Sequence, residues 1–393
     1  MNLNKMLLAP GLSAVLAVAA CSGPEDFSAV LDDAVAKGLP GVSLYVRSDD
    51  GAVWIGQAGV SSVEDGTPLK RDDKFLAFGV AQPFMAVTVM QMADEGLLSL
   101  DDTVPVLAGL DLVYKVPNVQ KITLRHALLH TSGVFDYVET FGFQQAFLGS
   151  EYNPDRIWTP AETLSFISGR GYRPSFGPGE RLEFSNSNAT LLGVAVEAVS
   201  GRTLGEEFQD RIFDPLGMTS TRFGGADGLI PGYVSLPANV VEYGIGSKLS
   251  EARDGLFNLF GVDPSWAWAA GGIVSTITDL AGFSKALFAG ELLSPDHQQA
   301  LIDVQPPSWT RADGVVMEFS MGLMRRQTDG GPAIGHEGAG AGFESMMYRL
   351  PDLGITMVAV TNSSGQKATL ELVFQGVIDL VRSGDRAALF GGF

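Results

Sequence analysis

The sequence predicts an α/β plus all-α fold, with one antiparallel sheet built from both chain ends and a helical region inserted between them. Two observations carry this expectation. Short β-rich runs stand at 41–46 and 52–60 and return at 319–324, 333–335, 343–350 and 355–362. Between them, from about 75 to 295, runs with helical start and stop signals dominate. Strands at the two ends bury their apolar faces by sharing a sheet, and the helices then pack beside it. The expected domain covers 28–393, with a sheet region at about 28–75 and 296–393 and a helical region at about 76–295.

Each element has a local cause. Ser48-Asp49-Asp50-Gly51 is a turn that closes the first two runs into a hairpin. Residues 83–95 read as a helix, with Pro83 tolerated in the first turn and Gly96 at the stop. Residues 122–130 form a second helix ended by Ser132-Gly133. A third, 159–168, opens Thr-Pro-Ala-Glu, a capping pattern with Pro at its first position. Residues 188–200 are apolar enough for a buried helix ended by Gly201, and 204–213 and 366–382 add two more.

The N-terminus reads as an export segment. Lys5 precedes an apolar run, 6–20, too short to span a bilayer as a mature helix and shaped like a signal peptide. It ends Val18-Ala19-Ala20-Cys21, which resembles a bacterial lipobox with Cys21 as the lipidated residue. Residues 1–20 are then a signal peptide and 21–27 a tether. Ser22 after the Cys resembles outer-membrane sorting, which would place the protein in the cell envelope, facing the periplasm. Cys21 is the only Cys, so no intrachain disulfide forms.

Composition excludes one class of partner. Lys+Arg 26 against Asp+Glu 45 gives a formal charge of −19, which repels a phosphate backbone. Nucleic acid is not expected. His126 and His130 have metal-ligand spacing on one helix, but no Glu stands between them in the manner of a zinc hydrolase, so no metal and no cofactor is expected.

Six ordered blocks carry a family resemblance: GLLSLDDTV (96–104), ITLRHALLHTSGV (122–134), PGERLEFSNSNATLLG (178–193), DPLGM (214–218), AAGGIVSTITDLAGF (269–283) and GHEGAGAGF (335–343). In order and spacing they resemble the serine β-lactamase, penicillin-binding-protein, DD-peptidase and esterase superfamily, nearest in style to class C β-lactamases, over about 27–380. The resemblance implies a β-lactamase/transpeptidase-like fold. It also implies acyl transfer by a Ser nucleophile, assisted by Lys and Tyr, with two backbone N–H groups as the oxyanion hole.

Position by position, the chemistry is missing. The nucleophile falls on Gly79, the Lys on Gln82 and the Tyr on Phe184. Gly79 cannot form an acyl-enzyme and Gln82 does not titrate. Loss of such a nucleophile alone removes about 10⁶ in rate. The frame remains in Phe75, Pro83, Ser185, Asn186 and the third motif, His336-Glu337-Gly338. The resemblance assigns Asn186 to a ligand amide and the amides of Gly79 and Ala339 to a ligand oxygen. Three functions stay open. The first is a degenerate binding or regulatory lipoprotein, holding a small molecule or peptide, such as a peptidoglycan-derived carboxylate, by Gly79, Gln82, Ser185, Asn186, His336, Gly338 and Ala339. The second is an esterase or peptidase with chemistry relocated to Ser185 or His336. The third is a structural envelope lipoprotein with a filled pocket.

Overall fold

The computed structural model describes residues 26–390 except 109–112, 148, 150, 154, 170, 236–248, 254, 260, 311–313, 366–368 and 385. The signal peptide, Cys21 and most of the tether lie outside the described residues.

A nine-stranded antiparallel sheet forms the backbone of the fold. Its strands are β1 (Gly41–Ser48), β2 (Val53–Ser62), β3 (Thr67–Pro68), β4 (Gln305–Thr310), β5 (Val316–Phe319), β6 (Met324–Thr328), β7 (Gly331–Gly340), β8 (Phe343–Leu350) and β9 (Ile355–Thr361). The order is β4-β5-β6-β7-β8-β9-β1-β2-β3, so the two ends of the chain meet at the β9–β1 pair, with Tyr45 opposite Val358. The run expected over 319–324 is instead the turn between β5 and β6. Ser320 and Leu323 exchange a hydrogen bond there (Ser320 N to Leu323 O, 2.9 Å), and Gly322 takes φ +110°.

Period-two alternation sorts the sheet's faces. Val42, Leu44, Val46, Met357 and Ala359 turn outward onto α1 (Phe27–Ala36) and the C-terminal helix Leu370–Ser383, where Phe27, Val373, Phe374 and Val377 complete a core. Tyr45, Val358, Val360 and Met347 turn inward onto a larger core shared with the helical region. At its centre runs α2 (Ala81–Asp94), with eleven buried positions. Its Phe84 stacks on Phe283 of the helix Ile277–Ala289, with centroids 3.5 Å apart. The helix α3 (Asn186–Ser200) lies alongside, capped by the Ser185 side chain and stopped by Gly201 at φ +68°. The helical region also holds small strands: a three-stranded sheet (Phe75–Leu76, Ile273–Ser275, Arg222–Phe223) and a four-stranded one near Tyr233. Among the described residues no helix is long and apolar enough to cross a membrane.

β6 pairs with β7 only as far as Met324 opposite Gly335. Beyond that point the β6-facing edge of β7, residues 336–340, has no strand beside it among the described residues and meets the turn that leads into α2, while its other edge stays paired with β8. This is the seam where the candidate site lies.

Candidate functional site

Gly79 sits in the one-turn 3₁₀ segment Phe78–Val80 that leads into α2. The preceding Phe78 has φ +42°, a strained backbone for a bulky side chain and a mark of functional corners. Its ring is held by Trp266, 5.6 Å between centroids. Gly79 itself has no positive φ; it is glycine for space. A Cβ placed there would lie 2.2 Å from the carbonyl oxygen of Glu337 and 3.1 Å from the Cα of Gly338. The approach is reciprocal, since a Cβ on Gly338 would lie 2.1 Å from the Gly79 nitrogen. The protein's own backbone therefore fills the volume a nucleophilic side chain needs. The imidazole of His336 holds that carbonyl, its Nδ1–H donating to Glu337 O at 2.9 Å.

The position of the general base is likewise neutral and tied. Gln82 Oε1 lies 3.0 Å from His130 Nε2. The ring's other nitrogen fixes the tautomer: Ser185 N–H at 3.2 Å and Asn188 Nδ2 at 3.1 Å both donate to Nδ1, so Nε2 carries the proton and donates to Gln82. Ser132 Oγ donates to Asn188 Oδ1 at 2.5 Å and extends the chain. Burial pushes His130 down to about 3, with help from His336 nearby, and burial pushes His336 down to about 4. Both rings are neutral at ordinary pH. Phe184 stacks on His130 with centroids 4.6 Å apart, so the missing phenol leaves a packed ring.

Asn186 keeps a functional setting. Its backbone N–H and its Nδ2 donate to Asp136 Oδ2 at 3.0 and 2.8 Å. Asp136 is buried, and desolvation raises its carboxyl to about 6 despite those donors.

Two cavities meet at Asn186 and Ala339. One, of about 510 Å³, is lined by Gly79, Phe184, Trp309, Met317 and Met324, and by Glu337, Glu344 and Glu371. The other, of about 420 Å³, is walled by Phe78, Tyr137, Phe143, Phe147 and Trp266.

The structure therefore divides the expected ligand residues. Gly79, Asn186, Gly338 and Ala339 line the cleft. Ser185, Gln82 and His336 do not, and the assignment of their side chains to a ligand is corrected. Ser185 is 1% exposed, and its oxygen accepts from Ser187 N as the cap of α3, which also removes it as a substitute nucleophile. Gln82 is buried on His130. His336 is 1% exposed and neutral, so it is no cation for a carboxylate. His126 accepts from Thr123 N through Nδ1 in a capping box, a local structural task.

Comparison with known proteins decides the family. The Beta-lactamase family model matches residues 27–376. The chain belongs to the β-lactamase family. Among curated relatives of this β-lactamase-family protein is penicillin-binding protein 4* of Bacillus subtilis, 24% identical over 307 residues, 77% of this chain and 64% of that protein. Another is a D-aminopeptidase of Brucella anthropi, 24% identical over 330 residues, 84% of this chain and 57% of that protein. The chain thus spans less than two thirds of the length of either. Among solved structures, a D-stereospecific amidohydrolase from a Streptomyces species matches with TM-score 0.74 and 27% identity, over 89% of this chain and 96% of that one. A D-amino acid amidase from Ochrobactrum anthropi, solved with L-phenylalanine, matches with TM-score 0.76 and 25% identity, over 91% and 97%. The β-lactamase/transpeptidase-like α/β architecture expected from the sequence is the one observed.

Sequence reasoning missed His130 as the partner of Gln82, Asp136 as the anchor of Asn186, and the carboxylates of Glu344 and Glu371. His130 and Asp136 flank the motif Thr131-Ser132-Gly133, which was the available signal. Glu371 carried none, because it reaches the cleft from the start of a helix far along the chain.

Proposed function

We propose that this member of the β-lactamase family is a binding or regulatory protein of the cell envelope that does not carry out acyl transfer. One observation carries the reading: the Glu337 carbonyl stands 2.2 Å from where a Cβ at residue 79 would be. Loss of the nucleophile alone is a missing atom group. Backbone closing over its place, with a neutral His130–Gln82 pair where proton transfer would be organised, is a rebuilt corner. A carboxamide held by a neutral imidazole accepts no proton at neutral pH.

The two cavities beside that corner support retention of a ligand, a small molecule or a peptide such as a peptidoglycan fragment. The similarity to a D-aminopeptidase and to a D-amino acid amidase solved with L-phenylalanine fits amino-acid-derived ligands with an apolar side chain. The aromatic walls of the smaller cavity suit such a group. Attachment by a lipid on Cys21 at the outer membrane belongs to the same proposal. Its test is metabolic labelling with an alkyne fatty acid, expected in the native chain and absent in Cys21→Ser.

The central test is covalent. Purified protein incubated with a fluorescent penicillin should show no labelled band, and a D-amino acid anilide should not be turned over above background. Stoichiometric labelling would overturn the proposal.

A further inference from the structure

A smaller pocket, of about 160 Å³, lies between the inner face of the sheet and the last turns of the helix Ile277–Ala289, and shares no lining residue with the cleft. Its floor is a row across three neighbouring strands. Arg47 on β1 stands opposite Thr356 on β9, and Thr356 stands opposite Arg349 on β8. Side chains in register on adjacent strands share a face, so two arginines flank one hydroxyl. Tyr45, two residues before Arg47, shares that face, and Lys285 lines the pocket from the helix. The whole chain carries −19, yet three cations meet a single lining carboxylate here, Asp49. Asp49 is already held, since Arg349 Nη2 donates to it at 2.8 Å. Arg349 Nη1 is held too, donating to the Ile355 carbonyl at 2.9 Å.

The other two cations are uncommitted. Arg47 and Lys285 have no hydrogen-bond or ion-pair partner among the described residues. Two lining hydroxyls share that condition. Tyr45 is 9% exposed and Thr356 is 7% exposed, and neither oxygen has a partner among the described residues. Neither oxygen is sealed from solvent, so each opens on the pocket that its residue lines. Hydroxyls of residues this buried are ordinarily bonded. A guanidinium, an ammonium and two O–H groups are four donors facing one small space, which is the setting an oxyanion completes. The C-terminal end of the helix works against an anion. Its last carbonyls are occupied, however: Ala286 accepts from Glu291 N and Leu287 from Gln298 Nε2, both at 3.0 Å.

We propose that this pocket binds a phosphate group, free or as the monoester of a small polar molecule, through Arg47, Lys285, Tyr45 and Thr356. The site is separate from the cleft and independent of what the cleft holds. Two unpaired cations match a dianion, and donors arriving from a sheet on one side and a helix on the other suit a tetrahedral group better than a planar carboxylate. The pocket has well under half the volume of either cleft cavity, so it takes a headgroup and no extended ligand.

Isothermal titration with inorganic phosphate, glycerol 3-phosphate and acetate tests it, in about 0.15 M chloride so that loose surface pairing is screened. Each phosphate should bind at least about tenfold tighter than acetate, because it sets a second charge against the second cation. Arg47→Gln and Lys285→Gln should each weaken phosphate at least about tenfold. Lys121→Gln, an exposed change outside the pocket, should leave it unaltered. Thermal melts show that the variants fold, and Lys285→Gln, at an exposed helix position, carries the test if Arg47→Gln does not. Equal binding of the two phosphates supports the site with the free anion as its occupant, and tighter binding of the ester supports it with a phosphomonoester. Acetate binding as tightly as phosphate, no binding of either phosphate at millimolar concentration, or binding that both variants leave intact overturns the proposal.

Discussion

The corner around Gly79 and the cavities beside it lie within one cleft and have gone opposite ways. At the corner the groups that stand where a proton or a bond would be handled are neutral and buried, and Gln82 is tied through its Oε1 alone, its Nε2 having no partner among the described residues. His336 holds the Glu337 carbonyl, and His130 holds Gln82. The backbone has closed to a distance that admits no side chain. Directly against it, two cavities of about 510 and 420 Å³ stay open, and Asn186, which lines both, keeps a buried carboxylate partner. Decay without selection has no reason to pack one region tightly and leave its neighbour hollow. The contrast separates the loss of chemistry from the retention of a binding surface.

The largest effect that tests this contrast is on the closed side. His130→Ala removes the acceptor for Ser185 N–H and Asn188 Nδ2 and the donor for Gln82 Oε1. Each buried group left unpaired costs about 1–3 kcal/mol, so the variant should lose several kcal/mol in chemical denaturation. A loss under 1 kcal/mol would mean that water replaces the ring and the corner is not dry.

Next is Gly79→Ser. Its Cβ must push β7 back from 2.2 Å, and such overpacking costs about 1–3 kcal/mol. The triple variant Gly79→Ser, Gln82→Lys, Phe184→Tyr, which the sequence alone marks as the route back to acylation, is expected to remain unlabelled by penicillin. A Lys at 82 faces the Nε2–H of His130, donor against donor. Labelling of the triple variant would show that the strand yields and the corner is merely vacant.

The dependence on pH gives a finer comparison. His130 and His336 titrate at about 3 and about 4 in the folded protein, against about 6.5 in the unfolded chain. Protonation thus favours unfolding. The stability these rings allow is complete above pH 6.5 and is lost as pH falls towards those values. Asp136 runs the other way. Its carboxyl sits at about 6 when folded, so its burial cost at neutral pH is relieved as pH falls through 6 towards the ordinary carboxylate range. Between pH 6 and 4, of these three groups two protons favour unfolding and one opposes, so together they contribute a slope of about 1.4 kcal/mol per pH unit. Asp136→Asn removes the opposing proton and should steepen the acid limb of a stability profile in that window. An unchanged slope would mean that the carboxyl is not the buried anchor of Asn186.

How much of this was legible in the sequence follows from range. Helix starts and stops are local chemistry: Thr159-Pro160-Ala161-Glu162 forms the capping box it spells, and Gly201 ends α3 in the left-handed region. The β9–β1 pairing follows from alternation at the two chain ends. Glycine conceals more. At position 79 it reads as a missing nucleophile, yet the reason that it is glycine lies in β7, more than 250 residues later. Gln82 reads as an inert stand-in for Lys, and only His130, from another helix, shows which of its atoms is bound. The acidic wall gathers Glu337, Glu344 and Glu371 from two strands and a helix, and no spacing rule joins them. His336 misled for the opposite reason. Its motif places it at the cleft, and the pleat turns its ring into the interior.

The smallest expected effect concerns Phe184, which belongs to both regions. Its ring packs on His130 and also lines the larger cavity beside Trp309. Phe184→Tyr adds one oxygen at the ring's far end, where the cavity has room and water can reach it, so stability should change by no more than about 0.5 kcal/mol. No proton acceptor of suitable basicity stands near it, since His130 Nδ1 already accepts two hydrogen bonds and Gln82 does not titrate. Penicillin labelling should therefore stay nil although the family's aromatic hydroxyl is back in place. A cost above 2 kcal/mol in thermal or denaturant melts would show that the cavity at this ring is closed like the corner, and that the boundary between the two regions lies further out, towards Trp309.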